Sequence, residues 1–509
     1  MFRTLAAAAW VATAGVLAAQ AGPATPGVLT LAWEAEPRTI DPRYAVDANS
    51  QYLEDLLHCA LISPDAEGQL RPLLARSWQW TTPTTLKVEL QPNIKFADGT
   101  TVTASDVAAT YQFFKNTAAP KPSPRRGAFA GLVSTTAVAA TTVVFTLREP
   151  DASFVANLIV GILPAATAAG NLISAPHQAQ GCGPFILSAL SPSQYDLVPN
   201  PNYSLGAPSK LQKIALKIVK DENTRYAKLI AGELDLVQNL LSRDKLTVIA
   251  RSYPKLKLQR RSGLNTTYLG FNIRDKKLSQ VNVRRAIAMA IDKDKIIKYV
   301  LNGMAVPAAT MLLPSDPFYS HNLKAPDYNP KQARALLDQA GFKASADGIR
   351  FSLSFKTTTD QTRVAVAKAI GAELRQVGIN VTVESLEWGR FKADVEHGHV
   401  QMWSLGWVGF KDPDIYRFAF ATASFPPDGG NRGWYSNPVL DQLLDLGRSQ
   451  TSLSERTAVY AKAQQIIADD VPYAFLWHED VFAISNQGIE GFEVYADGRL
   501  SALSRTSKP

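Results

Sequence analysis

Helices followed directly by strands recur in the second half of the chain, and this alternation restricts the possible folds most strongly. A helix predicted over residues 362–377 is ended by Gly378, and residues 379–384 then alternate apolar and polar side chains as a strand does. An earlier helix starts at Asn329 with Pro330 in its first turn and stops at Gly341. A longer helix is predicted over residues 283–301. This repetition is typical of an α/β lobe, so we expect an α/β fold.

The length of the chain sets the number of folding units. At 509 residues the chain exceeds one ordinary domain, and two or three lobes are expected. A hydrophobic content of 46% with 19% charged residues is typical of a soluble globular protein.

The first 21 residues have the pattern of a secretory signal peptide. Arg3 gives a positive start, residues 5–18 form a short apolar run, and Ala19-Gln20-Ala21 fits the small-x-small cleavage rule. We predict cleavage after Ala21 and a periplasmic mature protein. The alternative is an uncleaved membrane anchor, for which the apolar run is short.

The charge of the chain does not favour a nucleic-acid partner. Lys and Arg number 53 against 45 Asp and Glu, which gives a formal net charge of +8. The basic residues form no long run or arginine-rich helix, so nucleic-acid binding is not expected.

Two cysteines, Cys59 and Cys182, leave two possibilities open. An even number of cysteines in an oxidising compartment is typical of a disulfide. Two separate buried thiols are the alternative.

A strand that ends in a glycine-containing loop is the first candidate for a ligand site. Met402, Ser404 and Gly406 fall on one face of the predicted strand, and Trp403 and Trp407 fall on the other. The loop continues through Phe410 to Asp412-Pro-Asp414, a turn signal. Aromatic side chains on a loop held by a sheet are common in binding sites. We expect Trp403 in the core, whereas Trp407 and Phe410 are candidates for ligand contact.

Motifs along the chain carry a resemblance to a known family. In one of these motifs, Thr103 and Asp106 have the three-residue spacing of a cap at the start of a helix. The motifs, in chain order, are Thr39-Ile-Asp41-Pro42, Phe96-Ala-Asp98-Gly99 with Thr103-Ala-Ser-Asp106, Gly181-Cys-Gly183-Pro184, Asn200-Pro-Asn202-Tyr203, Gly232-Glu-Leu-Asp235, Phe271-Asn272, Val283-Arg-Arg285-Ala286, Tyr328-Asn-Pro330, Gly406-Trp407 and Tyr435-Ser-Asn437. Together they make the chain resemble the extracytoplasmic solute-binding proteins of ABC transporters, family 5, the oligopeptide/dipeptide/nickel-binding class.

This resemblance implies a two-lobed periplasmic binding protein fold, a clamp whose lobes are joined by crossing segments near residues 266–272 and 472–480. Lobe I would comprise residues 22–265 with an inserted subdomain, lobe II residues 266–475, and residues 476–509 would return to lobe I. The expected function is capture of a peptide or peptide-like solute and its delivery to the permease subunits of an ABC importer. A monomer without a cofactor or a bound metal is expected, and no catalytic residues.

The resemblance also suggests which side chains contact the ligand. Trp388 and Trp407 match two pocket tryptophans of oligopeptide-binding members, with the same spacing of 19 residues (407 − 388). Phe410 stands where those members have the aspartate that pairs with the peptide amine. Val395 and Ser404 stand where they have arginines. The resemblance therefore implies an apolar pocket that lacks the usual charged contacts.

The candidate ligand contacts are completed by residues with weaker support. They are Asp412, which could supply a counter-charge, Ser404, and Phe129, alongside Trp388, Trp407 and Phe410. Turn capping is the alternative role of Asp412 and Asp414.

Two other functional classes remain as alternatives, a secreted hydrolase and a periplasmic chaperone or adhesion module. A secreted hydrolase is the main alternative, but the chain lacks a Gly-x-Ser-x-Gly elbow, and its His478-Glu479 pair lacks the second His of a zinc protease. His397 and His399 are close enough in sequence for a metal, but a metal site is not the favoured reading of that pair.

Overall fold

The computed structural model describes residues 26–116 and 121–509, so the predicted signal peptide at residues 1–21 lies outside the described residues. In chain order, the strands are β1 (Val28–Trp33), β2 (Ile62–Pro64), β3 (Leu70–Pro72), β4 (Ala75–Thr82), β5 (Thr85–Leu90), β6 (Leu132–Ala139), β7 (Thr142–Leu147), β8 (Phe185–Ser191), β9 (Gln194–Pro199), β10 (Lys213–Ile218), β11 (Leu236–Gln238), β12 (Leu256–Phe271), β13 (Ala305–Pro307), β14 (Phe351–Thr358), β15 (Ile379–Leu386), β16 (Met402–Trp407) and β17 (Tyr473–Asn486).

Helices alternate with these strands, most regularly in the second half of the chain. They are α1 (Ala48–Leu57), α2 (Ala104–Phe113), α3 (Ala165–Ala168), α4 (Glu222–Ile230), α5 (Arg243–Ser252), α6 (Val281–Ala290), α7 (Lys293–Tyr299), α8 (Pro330–Gln339), α9 (Gln361–Gln376), α10 (Trp388–His397), α11 (Ile415–Phe420), α12 (Pro438–Ser449) and α13 (Leu453–Asp470). The predicted α/β class is confirmed. None of these helices is long and apolar enough to cross a membrane.

One large sheet runs through most of the described chain. Its strand order is β15-β14-β16-β12-β17-β11-β1-β10-β9-β8, and β13 pairs with β17 beside this path. A separate sheet, β4-β5-β7-β6, belongs to the subdomain that precedes β8. We use lobe I for residues up to 265 and from 476 onward, and lobe II for residues 266–475; these boundaries stay a prediction.

The strand β16 shows how alternation builds the core of lobe II. Met402 and Trp403, neighbours in sequence, point to opposite faces of the sheet. Met402 lies in one buried cluster with Phe355. Trp403 lies in another cluster with Tyr416 and Phe420 and is fully buried. The predicted two faces of this strand and the core position of Trp403 are therefore confirmed.

The two lobes are joined by β12 and β17, which pair antiparallel along their length. The register runs from Leu256 opposite Asn486 in lobe I to Gly270 opposite Tyr473 in lobe II. It is interrupted between Ser262 and Thr266, where the chain passes from one lobe to the other. Gly263 lies in this interruption, and a Cβ there would come within 2.5 Å of the Glu479 carbonyl oxygen. We call residues 263–265 and 478–480 the hinge.

A polar contact ties the two hinge strands together. The Thr266 hydroxyl donates to the Met311 carbonyl oxygen at 2.6 Å and lies 3.1 Å from His478 Nδ1. His478 is buried, and burial lowers the pKa of its imidazole to about 4. The hinge thus carries a histidine that is neutral at physiological pH.

The prediction of one helix over residues 283–301 is wrong in detail. The chain forms α6 and α7 there, separated at Ile291, whose backbone is extended. Asp292 then caps α7, because its carboxylate accepts a hydrogen bond of 3.0 Å from the Lys295 backbone N–H. A side chain that caps a new helix start competes with continuation of the previous helix.

The cysteine question is resolved by a bond. Cys59, just after α1, is joined to Cys182 by a disulfide across a sequence separation of 123 residues, with the Cα atoms 5.0 Å apart. Both residues are buried beside the core of the inserted subdomain. The disulfide therefore fixes the subdomain to the strand that leads back into the main sheet.

Removing this disulfide should destabilise the protein. In the chain-entropy view, opening a loop of this length lowers the free energy of unfolding by about 4–5 kcal/mol. We expect this loss in the double variant Cys59→Ala, Cys182→Ala, measured by urea unfolding. Wild-type protein unfolded under reducing conditions is the control and should match the variant. An unchanged midpoint and slope would contradict the prediction.

The buried His478 should make stability fall in acid. Its pKa is depressed from 6.5 to about 4 in the folded state, so the unfolded state takes up the proton first as pH falls. The stabilisation that comes from keeping His478 neutral in the folded state is fully present above pH 6.5 and is lost as the pH falls toward 4. We expect His478→Gln to reduce the loss of stability across this range by up to about 3 kcal/mol. Urea unfolding at several pH values measures it; a His321→Gln control, at an exposed position, should keep the wild-type slope.

Candidate functional site

The carboxyl ends of strands from both lobes face the hinge. In lobe II, β14 is parallel to β15 and β16, and the end of β16 pairs with Thr266 at the hinge. In lobe I, β11 runs parallel to β1 and ends at Gln238, opposite Ala483 on β17. In open α/β sheets, ligands bind beyond the carboxyl ends of strands. The cleft between the lobes is therefore the first place to look for a site.

A cavity of about 760 Å³ occupies this cleft. Both lobes and the hinge contribute to its walls. Lobe I contributes Asn239, Leu241, Ser242, Arg243, Asp244, Val481 and Phe482, and the hinge contributes Asn265, Glu479 and Asp480. Lobe II contributes Tyr299, Val300, Asn302, Met304, Gln361, Thr362 and Ala365. The volume of this cavity lies within the roughly 300–1,000 Å³ range of ligand pockets.

Two carboxylates of this cleft have a cationic neighbour. Arg243, the first residue of α5, contacts the Glu479 carboxylate at 3.1 Å. Asp480 lies 3.8 Å from Arg260, and burial raises the pKa of its carboxyl above the ordinary value. The cleft therefore presents mixed polar and apolar groups, and its lining has one arginine against three carboxylates, Asp244, Glu479 and Asp480.

A second cavity, of about 240 Å³, lies in lobe II and brings the two predicted tryptophans together. Trp388 begins α10 directly after β15, and Trp407 is the last residue of β16. Because both strands are parallel to β14, their carboxyl ends lie on one edge of the sheet. We call this second space the tryptophan cavity; it is lined by Trp388, Phe391, Lys392, Val395, Leu405, Gly406, Trp407, Val408 and Arg432.

Residues that line the two cavities are linked through β12. Gly406 lines the tryptophan cavity and pairs with Thr267 on β12. The Thr267 hydroxyl donates to the Glu479 carboxylate at 3.4 Å, and Glu479 lines the larger cavity.

The two tryptophans differ in how much of the ring is free. Trp388 is 52% exposed. Trp407 is 8% exposed, and its ring is stacked against Tyr268 with centroids 6.1 Å apart. A Cβ at Gly430 would come within 2.5 Å of the Trp407 ring, so glycine there leaves the space the ring occupies. The Trp407 indole N–H is buried without a hydrogen-bond partner in the described chain.

The other predicted contacts lie elsewhere. Phe410 is half-buried at the edge of the Trp407 cluster, and Ser404 is buried within β16. Phe129 lies in the core of the inserted subdomain, stacked on Phe114 with centroids 4.3 Å apart. Neither Ser404 nor Phe129 lines either cavity. Their predicted ligand contacts stay predictions, and the structure does not bring them to the tryptophans.

The Asp412 carboxylate is already paired with an arginine. Its two carboxylate oxygens accept hydrogen bonds from Arg456 on α13 at 2.7 and 3.0 Å. Asp414, two residues on, donates its backbone N–H to Asp412 at 2.9 Å. Asp412 also lines a separate groove of about 620 Å³ between lobe II and the inserted subdomain. Its negative charge is thus already balanced within the protein.

Two cations of lobe II, Arg432 and Lys411, are not indicated by any motif in the sequence. Arg432 lines the tryptophan cavity, and Lys411 follows the end of β16. Arg432 lies only three residues before the Tyr435-Ser-Asn437 motif, but no local pattern indicates the direction of its side chain. Lys411 pairs with a residue 86 positions later, which no sequence spacing indicates.

Lys411 crosses from lobe II to lobe I. Its ammonium group lies 2.9 Å from the Asp497 carboxylate, and Asp497 also accepts a hydrogen bond of 3.0 Å from Arg499. Arg499 in turn pairs with Asp55 on α1. We call these four residues the interlobe network. Although burial alone would raise it, the pKa of the Asp497 carboxyl is held below its ordinary value by Lys411 and Arg499.

Further contacts between the lobes lie at the inserted subdomain. Arg448 on α12 contacts the Asp151 carboxylate at 2.8 Å, and the Gln69 amide donates to the Ser315 carbonyl oxygen at 2.8 Å. Lys411 and Asp497 are the more buried pair, with side chains 10% and 6% exposed. Buried pairs depend on both partners, because removal of one leaves an uncompensated charge.

The histidine pair does not form a metal site with neighbouring ligands. His397 Nδ1 lies 2.7 Å from the Ala393 carbonyl oxygen, and His399 lies 4.0 Å from Asp394. Across residues 26–116 and 121–509, no three His, Cys, Asp or Glu side chains are grouped so that they could hold a metal ion.

Comparison with known proteins gives a consistent result. The profile described as bacterial extracellular solute-binding proteins, family 5 middle, matches residues 69–426. The glutathione-binding protein GsiB of Pectobacterium atrosepticum is 30% identical over 518 residues, covering 97% of this chain and 97% of the relative. The oligopeptide-binding protein AppA of Bacillus subtilis is 26% identical over 496 residues, covering 92% of this chain and 89% of the relative.

Solved structures are similar over almost the whole chain. HbpA2 from Haemophilus parasuis has a TM-score of 0.83 at 23% identity, covering 95% of this chain and 100% of that chain. AppA from Bacillus subtilis in complex with a nonapeptide has a TM-score of 0.70 at 24% identity, with the same coverage. These likenesses confirm the predicted two-lobed periplasmic binding protein fold.

Breaking the interlobe network should both destabilise the protein and loosen the lobes. Lys411→Met leaves Asp497 without its partner from lobe II, which should lower the free energy of unfolding by about 3 kcal/mol. We also expect a larger radius of gyration in small-angle X-ray scattering of ligand-free protein. Urea unfolding measures the first effect.

The matched control breaks a buried pair within one lobe. Lys508 contacts the Asp235 carboxylate at 2.8 Å, and both side chains are as buried as Lys411 and Asp497. Lys508→Met should lower stability to a similar degree and leave the radius of gyration unchanged. Equal scattering curves for the two variants would show that Lys411 does not hold the lobes together.

Proposed function

Because the chain belongs to the family 5 bacterial extracellular solute-binding proteins, we propose that it captures a peptide or peptide-like solute in its interlobe cleft and delivers it to the permease subunits of an ABC importer. The family consists of ligand-binding components of ABC importers outside the cytoplasm. A periplasmic location after removal of residues 1–21, and a monomeric state, are parts of the same proposal.

One observation supports the proposal most directly. Trp388 and Trp407, which are 19 residues apart in sequence (407 − 388), line one cavity beside the cleft between the lobes. Aromatic faces that open into a cleft give large contact area and stacking, and each aromatic pair adds roughly 0.5–1.5 kcal/mol beyond simple burial. Trp388 keeps about half of its surface free although it lies beside a cavity. An exposed tryptophan at such a position is typical of a binding surface.

The larger cavity supports a ligand that contacts both lobes. Asn239 and Arg243 reach it from lobe I, and Gln361 and Thr362 reach it from lobe II. A ligand that contacts both walls binds the closed form more tightly and so shifts the equilibrium between open and closed forms. This coupling is what a transport component needs in order to present a loaded state to the permease.

The peptide amine would need a binding mode that differs from the family pattern. Phe410 cannot balance a positive charge, and Asp412 is already held by Arg456. A buried ammonium group without a counter-charge is costly. We therefore propose that the ligand is bound mainly through apolar and amide groups, with its amine in the wetter, larger cavity.

A secreted hydrolase is the function from which this proposal must be distinguished. The named relatives are binding proteins, and no described feature favours hydrolysis. The test is to purify the protein from the periplasm of its native host, denature it, and identify released compounds by mass spectrometry. Recovery of an intact solute, which rebinds when added back, supports binding. Recovery of cleavage products formed on incubation would contradict it.

The recovered solute allows a direct test of the tryptophans. Trp388→Ala and Trp407→Ala should each weaken binding by on the order of 2 kcal/mol or more, as large aromatic contacts do. Isothermal titration calorimetry measures the change, and thermal melting confirms that each variant is folded. Trp388 is the cleaner position because it is exposed.

Two control variants make this test specific. Tyr328 is similarly exposed, at 49%, and lies outside both cavities, so Tyr328→Ala should bind normally. Asp412→Asn should weaken binding less than the tryptophan variants, because Arg456 already occupies its carboxylate. If Asp412→Asn abolished binding and Trp407→Ala left it intact, the ligand would be held by charge and the apolar mode would be wrong.

A further inference from the structure

The tryptophan cavity has an unbalanced charge. Two of its nine lining residues, Lys392 and Arg432, are cations, and no carboxylate lines it. The other lining side chains are aromatic or aliphatic. Lys392 lies 3.7 Å from Glu396 on the surface of α10, so part of its charge is balanced outside the cavity. Arg432 is therefore the group that gives the cavity its positive character.

Arg432 differs from the other arginines near the cleft. Arg456 is paired with Asp412, and Arg499 is paired with Asp497 and Asp55. Arg432 forms no ion pair with any residue of the described chain. Its guanidinium carbon instead lies 5.4 Å from the centroid of the Trp407 ring. The guanidinium also hydrogen-bonds to the Tyr268 hydroxyl. Because it has no carboxylate partner, its remaining N–H groups can donate to an anion.

The backbone around Arg432 is held in place. The buried Asn431 side chain donates to the carbonyl oxygens of Phe420, Ala421 and Tyr435 at 3.1, 3.0 and 2.7 Å. Because Asn431 is anchored, the Arg432 side chain starts from a fixed point beside Trp407. Such preorganisation lowers the entropy cost of holding a ligand group.

A further donor lies near the guanidinium. The Trp407 indole N–H is buried and has no hydrogen-bond partner in the described chain. Tyr473 is stacked on Tyr268 with centroids 4.0 Å apart, and Tyr268 is stacked on Trp407. The environment of Arg432 thus combines a cation, aromatic faces and one unused indole donor. This combination suits a group with an apolar stem and a negative end.

We infer that the tryptophan cavity selects an acidic side chain of the ligand, whose carboxylate is bound by Arg432 and whose methylene groups lie against Trp388 and Trp407. The inference rests on the proposed function, since it assigns a chemical class to part of the proposed ligand. At about 240 Å³, the cavity is smaller than the roughly 300–1,000 Å³ of pockets that enclose whole ligands. It accommodates one side chain, and the larger cavity receives the rest.

This assignment changes what the sequence resemblance implied for the pocket. Val395 and Ser404 stand where related peptide binders have arginines, which implied a pocket without charged contacts. Arg432 restores a cation from the segment that follows α11, whereas Val395 belongs to α10 and Ser404 to β16. Selection then depends on an acidic side chain of the solute rather than on the termini that every peptide has.

The test compares acid and amide peptides of matched shape. Three pairs are used as probes: Ala-Glu-Ala with Ala-Gln-Ala, Glu-Ala-Ala with Gln-Ala-Ala, and Ala-Ala-Glu with Ala-Ala-Gln. Each pair differs by one charge, so the ratio of the two dissociation constants reports recognition of the carboxylate. Calorimetry with wild-type protein should show a preference for the acid of tenfold or more in at least one pair.

Variants then assign the preference to Arg432. Arg432→Gln should reduce the ratio to near one by weakening the acid peptide, with the amide peptide little changed. Arg432→Lys should keep part of the preference, because it retains the charge without the bidentate geometry. Arg505→Gln, at a charged position of lobe I that lines neither cavity, is the control and should keep the wild-type ratio.

Each contrary result has a distinct meaning. If wild-type protein binds the acid and amide of every pair equally, the acidic selection is wrong and the proposed peptide binding stands. If the preference persists in Arg432→Gln, another residue recognises the acid and the role of Arg432 is wrong. If none of the six peptides binds, the peptide-like ligand and the selection inferred from it are both overturned.

Discussion

The antiparallel pairing of β12 and β17 is the interaction on which the rest of the structure depends. Because one hydrogen-bonded ladder continues from Leu256 opposite Asn486 to Gly270 opposite Tyr473, both lobes share a single sheet. The strands that join this ladder from either side then direct their carboxyl ends toward the same crossing. Loops of both lobes are thereby brought to one cleft, although they lie up to about half of the chain apart in sequence. The interruption at Gly263 places the change of direction where a side chain would collide with the partner strand.

The charged residues near the crossing of β12 and β17 form two groups with different roles. Lys411, Asp497, Arg499 and Asp55 are buried and satisfy one another across the lobes. Removing such charges from water is unfavourable, so their arrangement is maintained only while all partners remain in register. The interlobe network therefore stabilises one particular orientation of the two lobes and does not stabilise other orientations in which the lobes touch. Arg432 belongs to the second group, because it has no anion of its own within the described chain and remains available to a solute.

The sequence predicted the parts of this protein that depend on local pattern. The α/β class, the two faces of β16 and the buried position of Trp403 follow from periodicity, and the structure confirms them. Trp388 and Trp407 line one cavity because each stands at the carboxyl end of a strand parallel to β14. The break at Asp292 was missed because helix periodicity continues across it, and only the cap shows where a new helix begins. Arg432, Lys411 and the core position of Phe129 depend on loops packed against distant elements, which local pattern does not encode.

The location of the tryptophan cavity separates affinity from closure. All nine of its lining residues belong to lobe II, whereas the larger cavity is lined from both lobes. A contact made only with lobe II has the same strength in the open and closed forms and cannot shift the balance between them. The side chain held at Arg432 would thus determine which solutes are retained, and the contacts with Asn239 and Arg243 would determine whether the lobes close. Since Lys411 and Asp497 already join the lobes without a ligand, those remaining contacts need to supply only part of the free energy of closure.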